Sequence, residues 1–202
     1  MTEKEFYYTI EKTAVAEYKD RGSRFIAHAF PMDTKDNFKI QLSAVKNEYP
    51  KATHYCFAYR IGLDGNNFRS GDDGEPAGSA GKPILGQIDS KELTNTLIIV
   101  VRYFGGALLG VPGLISAYKT AASLVLQVTP IVQKQVEVNY HLQFDYSMMN
   151  DIMMMVKQYN CSILGQELQL FCSMTIGIPV NRAEAILNRL KETRNVEIDK
   201  LQ

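Results

Sequence analysis

The run TLIIVVRYF at residues 96–104 constrains the fold of this chain most. It is almost wholly apolar and rich in β-branched side chains, which favour strands over helices. A strand with one wet face alternates apolar and polar residues, and this run does not alternate. We therefore predict a central strand whose two faces are both covered by other elements.

The residues around this run predict a mixed α+β domain over residues 1–133. Phe38, Leu42, Val45 and Tyr49 recur at helical spacing, and other segments show strand-like or helical patterns of the same kind. The predicted strands are 7–18, 23–30, 54–61 and 96–104, and the predicted helices are 34–49, 83–88 and 113–128.

Residues 134–202 predict a second domain. VEVNYHLQF at 136–144 alternates apolar and polar residues, which is typical of a strand with one buried face. A helix at 147–158, strands at 161–169 and 171–178, a further helix and a strand at 195–199 follow. This β-α-β-β-α-β order is the ferredoxin-like, split βαβ arrangement.

Composition restricts the class of protein. The chain has 22 basic and 22 acidic residues, which disfavours a strongly basic nucleic-acid binder but leaves a local basic patch open. Three cysteines without a C-x-x-C pair indicate free thiols. The first residues, MTEKEFYYTIEK, carry charges where a signal peptide is apolar. We expect a cytoplasmic protein that does not enter a membrane.

The stretch SGDDGEPAGSAGKPIL at 70–85 contains the first candidate binding residues, Asp72, Asp73 and Glu75. Their oxygens could hold a hard cation, but the spacing fits no calcium-loop pattern. A solvated turn in which glycines adopt positive φ is favoured instead. We therefore predict no metal site and no cofactor.

Two predicted helix starts lack a side-chain cap. Pro83 suits the first helical position, which makes Lys82 the N-cap, and lysine cannot accept a hydrogen bond. Pro112 likewise follows Val111. Open backbone donors attract anions, and Lys82 and Arg102 would add charge if the two ends converge. The alternative is that carbonyls, waters or the acids of the preceding loop occupy these donors.

A glycine loop precedes the second helix start. Gly105-x-x-x-x-Gly110 matches the first half of a phosphate-binding P-loop, but Val-Pro follows where Lys-Ser/Thr is required, so an NTPase is not expected. His54 and Cys56 share a strand face, but this spacing puts them about 6–7 Å apart, which favours a buried, inert cysteine. We assign no catalytic residue. The candidate binding residues are Asp72, Asp73, Glu75, Lys82, Arg102, Gly105, Gly106, Gly110 and Gly113.

Three stretches carry a family resemblance. KATHYCFAYRI (51–61), SGDDGEPAGSAGKPIL (70–85) and RYFGGALLGVPGLISAYKTAA (102–122) resemble the signature blocks of the YigZ/IMPACT family. The trailing half is similar to the small C-terminal domain of the bacterial YigZ branch. The resemblance implies an IMPACT-type N-terminal domain with the fold of the second domain of ribosomal protein S5. It also implies a ferredoxin-like domain similar to domain V of the elongation factor EF-G.

The resemblance also implies a link to translation. The eukaryotic members restrain the kinase that senses uncharged tRNA, a role that we do not carry over to this chain. Three residues depart from the family pattern: Leu108, Pro112 and Ser116 replace its usual lysine, glycine and arginine. The loss of two basic residues weakens contacts to phosphates at this loop.

The sequence is consistent with three functions. The first is a translation-associated regulatory or binding protein that meets RNA or a ribosomal partner through the glycine-loop face. The second is a protein that binds a small molecule, such as a phosphorylated ligand or peptide, or a hydrolase that uses the loop with Asp72, Asp73, Glu75 and Lys82. The third is an interaction module that uses the methionine-rich helix at 147–158. Binding is expected rather than catalysis, and neither the ligand nor the oligomeric state follows from the sequence.

Overall fold

The computed structural model describes residues 4–201, which form an α+β protein. The strands in this part of the chain are β1 Phe6–Ile10, β2 Ala14–Asp20, β3 Ser23–Pro31, β4 His54–Ile61, β5 Asn67–Gly71, β6 Thr96–Tyr103, β7 Ile131–Gln135, β8 Glu137–Asp145, β9 Ser162–Glu167, β10 Phe171–Pro179 and β11 Val196–Lys200. The helices are α1 Lys35–Glu48, α2 Gly81–Ser90, α3 Gly110–Val128, α4 Met149–Gln158 and α5 Ala183–Glu192.

The chain divides into two compact units. The N-terminal unit is Tyr7–Lys134, and the C-terminal unit contains the residues from Gln135 onward. Residues 4–6 group with the C-terminal unit. The sequence analysis places its boundary one residue earlier and does not assign the first residues to the later domain.

The N-terminal unit contains a five-stranded sheet in the order β2-β3-β6-β4-β5, with antiparallel neighbours throughout. The central strand β6 is buried along nearly its whole length. Ile98 and Val100 pack in a core that includes Ile84 of α2 and Leu114 of α3, whereas Leu97 and Ile99 pack with α1. The prediction of a strand covered on both faces is confirmed.

One predicted strand of this unit is wrong. The segment 7–18 is not continuous: β1 and β2 are separate, and β1 pairs with β7 in a two-stranded sheet. The sequence analysis predicted no strand at β7. The apolar residues on either side of the break at 11–13 made the two strands look like one.

The C-terminal unit contains a four-stranded sheet in the order β11-β8-β10-β9. Leu142 and Met174 of the sheet form a core with Ile152 of α4 and Ile186 of α5. The elements follow one another as the sequence predicts, β-α-β-β-α-β. In α4 the side chain of Met154 is exposed. Among the described residues, no helix is long and apolar enough to cross a membrane.

Candidate functional site

The carboxylate of Asp72 caps the start of α2, although Asp72 lies nine residues before that helix. Its Oδ1 accepts hydrogen bonds from the backbone N–H groups of Ala80 (3.0 Å) and Gly81 (2.8 Å), and its Oδ2 accepts one from Gly78 (2.9 Å). Burial alone would raise the pKa of Asp72, but these three donors outweigh it and hold the pKa below its ordinary value. The negative charge also lies at the favourable end of the helix dipole.

The predicted start of α2 is therefore wrong. The helix begins at Gly81 with Ala80 as N-cap, so Lys82 and Pro83 are its second and third residues. The backbone N–H groups of Ala80 and Gly81 are not open, because Asp72 accepts from both. Lys82 is exposed on the first turn. The alternative that an acid of the preceding loop satisfies this helix end is the one that the geometry supports.

Asp73 fastens the same loop to β4. Its Oδ2 accepts a hydrogen bond from the backbone N–H of Tyr55 at 2.7 Å, and its carbonyl oxygen lies 2.8 Å from Nδ1 of His54. Asp73 has a φ of +43°, a left-handed conformation that aspartate tolerates better than most residues. The side chains of Asp72 and Asp73 therefore stabilise the loop itself. Glu75 is the remaining acid of this loop.

Strand register places Arg102 next to the acidic loop. Arg102 of β6 lies directly opposite Phe25 of β3 and opposite His54 of β4. Residues that lie opposite each other in a sheet share a face, and this face is the one that α2 and α3 cover. The guanidinium carbon of Arg102 is 5.4 Å from the ring centroid of Phe25 and 5.6 Å from that of Phe104.

Glu75 is the centre of a buried polar network. Its Oε1 accepts hydrogen bonds from Nη1 of Arg102 (2.5 Å) and from the hydroxyl of Tyr118 (2.8 Å). Nη2 of Arg102 donates to the hydroxyl of Ser23 at 3.3 Å. Only 4% of the Glu75 side chain and 6% of the Arg102 side chain are exposed. The charge of Arg102 is therefore neutralised inside the unit, and the guanidinium is not presented to solvent as an anion contact.

His54 lies beside this ion pair. Its Nε2 is 3.8 Å from Oε1 of Glu75. Because a carbonyl oxygen can only accept, Nδ1 must carry the proton that is donated to Asp73. In the neutral ring, Nε2 is then left with a free lone pair.

Cys56 and Tyr118 extend the network without supplying a nucleophile. The sulfur of Cys56 lies 3.3 Å from the Tyr118 hydroxyl oxygen and 3.0 Å from the carbonyl oxygen of Asp72. Burial raises the pKa of both groups well above their ordinary values. A thiol held neutral in this way is a poor nucleophile, which agrees with the prediction of an inert, buried cysteine.

The predicted start of α3 is also wrong, because the helix begins at Gly110, two residues before Pro112. Leu109 is the N-cap and provides no side-chain hydrogen bond. Among the described residues, the N–H groups of Gly110 and Val111 have no acceptor, and Pro112 has no N–H to offer. In contrast to α2, this helix presents open donors, as the sequence predicts.

The four glycines of the loop have different roles. A Cβ on Gly105 would lie 1.9 Å from the backbone carbon of Gly22, so the loop packs directly on the β2–β3 turn. Gly106 and Gly110 have φ values of +86° and +71°, which favour glycine. A Cβ on Gly113 would be 3.0 Å from that of Leu109. Gly105 thus fixes the position of the loop, and Gly110 keeps the helix start uncovered.

A cleft of about 350 Å³ opens where these elements meet. Its polar surface comes from His54, Glu75 and Arg102, and its apolar surface from residues near the start of α3. Phe104 is 48% exposed and Leu108 is 85% exposed. Of the candidate residues, Glu75, Arg102 and Gly110 line the cleft, whereas Asp72, Asp73, Lys82, Gly105, Gly106 and Gly113 do not.

Two members of the network around this cleft were not predicted as site residues. His54, which lines the cleft, was considered only as a partner of Cys56, and Tyr118, which donates to Glu75, was not a candidate. A buried tyrosine usually needs a hydrogen-bond partner for its hydroxyl, and this rule could have pointed from Tyr118 to a buried acid. No local pattern indicated which acid it would be.

The C-terminal unit has a larger cleft of about 670 Å³. Asp145, Glu167 and Glu197 contribute acidic side chains to it. Within the described residues, none of its side chains has a buried polar atom without a partner. In addition, no group of three or more histidine, cysteine or acidic side chains in this part of the chain is arranged to hold a metal ion. The smaller cleft is therefore the candidate site.

Comparisons with known proteins agree on one family. The model of the Impact N-terminal domain matches residues 21–126. An "IMPACT family member" of Haemophilus influenzae is 32% identical over 92% of this chain and 91% of that protein. The "IMPACT family member YigZ" of Escherichia coli is 32% identical over 89% of this chain and 88% of that protein. A crystal structure of a hypothetical protein, 27% identical, covers 98% of both chains with a TM-score of 0.74.

Proposed function

Because the chain belongs to the IMPACT family, we propose that it is a translation-associated binding protein that engages RNA or a ribosomal partner. The link to translation comes from the family resemblance. The proposed binding face is the cleft at the start of α3. The observation that supports it is that uncapped backbone donors lie there beside the exposed ring of Phe104. Open donors suit phosphate, and an exposed aromatic ring suits an unstacked base.

The architecture supports finer assignments for the two units. We infer that the N-terminal unit is an IMPACT-type domain with the fold of the second domain of ribosomal protein S5. The sheet order β11-β8-β10-β9, combined with the element order β-α-β-β-α-β, supports a ferredoxin-like C-terminal domain similar to domain V of EF-G.

The networks around the cleft favour binding over catalysis. Arg102 and Tyr118 both donate to Oε1 of Glu75, and Asp72 and Asp73 both accept from backbone N–H groups. Groups held in this way keep a surface rigid, and a rigid surface loses less conformational entropy on binding. None of them is a nucleophile paired with a free base.

Sedimentation with ribosomes across a salt series tests this proposal. We expect binding that weakens as salt rises, because phosphate contacts release counterions. Val111→Glu places a negative charge at the open start of α3 and should therefore weaken binding. Val128→Glu is the matched control, because Val128 is an exposed valine at the other end of the same helix.

Two results would contradict the proposal. The first is the absence of sedimentation at low salt. The second is an equal loss of binding in both valine variants, which would mean that overall charge matters and that the start of α3 has no special role. Arg102 is unsuitable for this test, because its replacement would leave the buried carboxylate of Glu75 without a counter-charge.

One observation favours a second candidate function, a small-molecule binding protein or hydrolase. His54 and Glu75 lie side by side in an open cleft, and such a pair can exchange a proton with a bound ligand. A thermal-shift screen of phosphorylated compounds and short peptides tests it. A compound present at 100 times its Kd should stabilise the fold by about 2.7 kcal/mol. No stabilisation by any compound would remove this candidate.

A further inference from the structure

The floor of the cleft has hydrogen-bonding capacity that the protein leaves unused. Both side-chain hydrogen bonds of Glu75 are made by Oε1, so Oε2 accepts none within the described residues. Nε of Arg102 is buried and likewise has no partner there. Unlike Nε of Arg102, Oε2 of Glu75 is not fully buried, so a ligand or a water molecule in the cleft can donate to it. Glu75 therefore has a free acceptor for a donor from outside the chain.

Two adjacent acceptors define what kind of group fits. Oε2 of Glu75 is one. Nε2 of His54, 3.8 Å from the other oxygen of the same carboxylate, is the second, since in the neutral ring the donation of Nδ1–H to Asp73 leaves its lone pair free. A ligand with two neighbouring N–H groups matches them. Guanine presents such a pair at N1–H and the 2-amino group, whereas adenine and cytosine combine one amino donor with a ring acceptor.

The ring of Phe104 offers a surface for the base. It lies 48% exposed at the mouth of the cleft, and the Arg102 guanidinium lies on its inner side, 5.6 Å from its centroid. A cation behind an aromatic ring withdraws electron density from it and favours stacking with an electron-rich purine. The apolar side chains of Leu108 and Val111 extend this surface.

The start of α3 completes the site with donors for an anion. The N–H groups of Gly110 and Val111 lack acceptors within the described residues, and the helix is long enough, at 19 residues, to have a full dipole. Gly110 has no Cβ to obstruct a phosphate. Because the same cleft is lined by Glu75, His54 and Gly110, one ligand can contact the acceptors and the helix start together.

We infer that this cleft binds a guanine nucleotide unit, either free or as an unpaired residue of an RNA strand. The inference rests on the proposed function and names the ligand of the same face. The base edge donates to Glu75 and His54, the ring stacks on Phe104, and the phosphate accepts from the N–H groups of Gly110 and Val111. No covalent step is involved.

Titrations of the full chain with GMP, IMP, AMP and inorganic phosphate, followed by amide NMR, test the inference. We expect GMP to bind most tightly and to shift the amide signals of Gly110 and Val111. IMP lacks the 2-amino group and should bind about tenfold more weakly, which is the effect of one lost hydrogen bond. The RNA tetramers UUGU and UUUU distinguish an RNA strand from a free nucleotide as the ligand. Tighter binding of UUGU than of GMP identifies a strand, and the reverse identifies a free nucleotide.

Phe104→Ala has a closely matched control. Phe68 of β5 is also an exposed phenylalanine, 52% exposed, with an arginine, Arg60, 5.0 Å from its centroid. Phe104→Ala should weaken GMP binding by roughly 5- to 150-fold, the usual effect of removing a stacking ring. Phe68→Ala should leave it unchanged.

Equal effects of the two phenylalanine variants, or GMP binding no tighter than inorganic phosphate, would overturn the inference. Ribosome sedimentation distinguishes this failure from that of the proposed function. If GMP and UUGU do not bind but the protein still sediments with ribosomes, the guanine site is wrong and the proposed function stands. If GMP or UUGU binds and ribosomes do not, the site stands and the proposed function is wrong.

Discussion

Removal of the Arg102 guanidinium should reveal how much of the stability of the N-terminal unit depends on its partner, Glu75. In Arg102→Met the apolar part of the side chain is largely kept, but Glu75 stays buried with only Tyr118 as a donor. Breaking a buried pair from one side costs about 3–5 kcal/mol, because one charge remains uncompensated. That is a large share of the roughly 5–15 kcal/mol by which native domains are stable.

A second substitution separates charge from packing. Glu75→Gln in the Arg102→Met background removes the uncompensated charge and keeps an oxygen that accepts from Tyr118. We expect the double variant to recover about 2–3 kcal/mol, because the remaining cost is that of lost hydrogen bonds at about 1 kcal/mol each. Arg60→Met is the control: its pair with Asp89 is more exposed than the Arg102–Glu75 pair, at 21% and 43% of the two side chains, and should contribute less than about 1 kcal/mol.

Urea denaturation, followed by amide signals of the N-terminal unit, measures these differences. With a slope of about 2 kcal/mol per molar urea, Arg102→Met should lower the midpoint by about 2 M. The reasoning is refuted if Arg102→Met costs no more than Arg60→Met. It is also refuted if Glu75→Gln gives no recovery, since the loss would then come from the packing of the guanidinium between aromatic rings.

Three further predictions concern stability. Asp72→Ala should cost about 2–3 kcal/mol, as three backbone donors lose a charged acceptor. Since the folded pKa of Asp72 is below 3.8, wild type should lose this contribution only below about pH 4, which acid titration of the unfolding free energy measures. Burial lowers the pKa of His28 from 6.5, so the unfolding free energy should also fall as pH drops below 6.5, with a slope of at most about 1.4 kcal/mol per pH unit. His28→Leu should lack that slope in urea titrations at pH 5–7. Gly105→Ala should destabilise strongly, because its Cβ would overlap Gly22, whereas Gly86→Ala in α2, with open space around it, should raise the melting temperature slightly.

Much of the fold could be predicted because its signals are local. The uninterrupted apolar run of β6 and the alternation in β8 each report the surroundings of one strand. The break between β1 and β2 was missed, since it depends on the pairing of β1 with β7, more than a hundred residues away. Local periodicity carries no information about such a partner.

The site was harder to predict for the same reason. Asp72 caps a helix that starts nine residues later, so inspection of the residue just before the helix could not find it. Arg102 ends an apolar strand, and its charge suggested a surface role. A charged residue in a run buried on both faces instead needs an internal partner, and here that partner is Glu75. The prediction that the start of α3 has no side-chain cap is confirmed, although the N-cap is Leu109 and not Val111.

The attachment of the first residues to the C-terminal unit has a consequence for synthesis of the chain. Glu5 accepts hydrogen bonds from the backbone N–H of Val136 and from the side-chain amide of Asn181, which is 176 residues later. At the usual elongation rates of about 5–20 residues per second, Glu5 waits roughly 9–35 s for Asn181 to be made. During that interval the five-stranded sheet of the N-terminal unit can already form. The order of translation therefore separates the assembly of the two units in time, and the earliest residues to leave the ribosome are among the last to find their contacts.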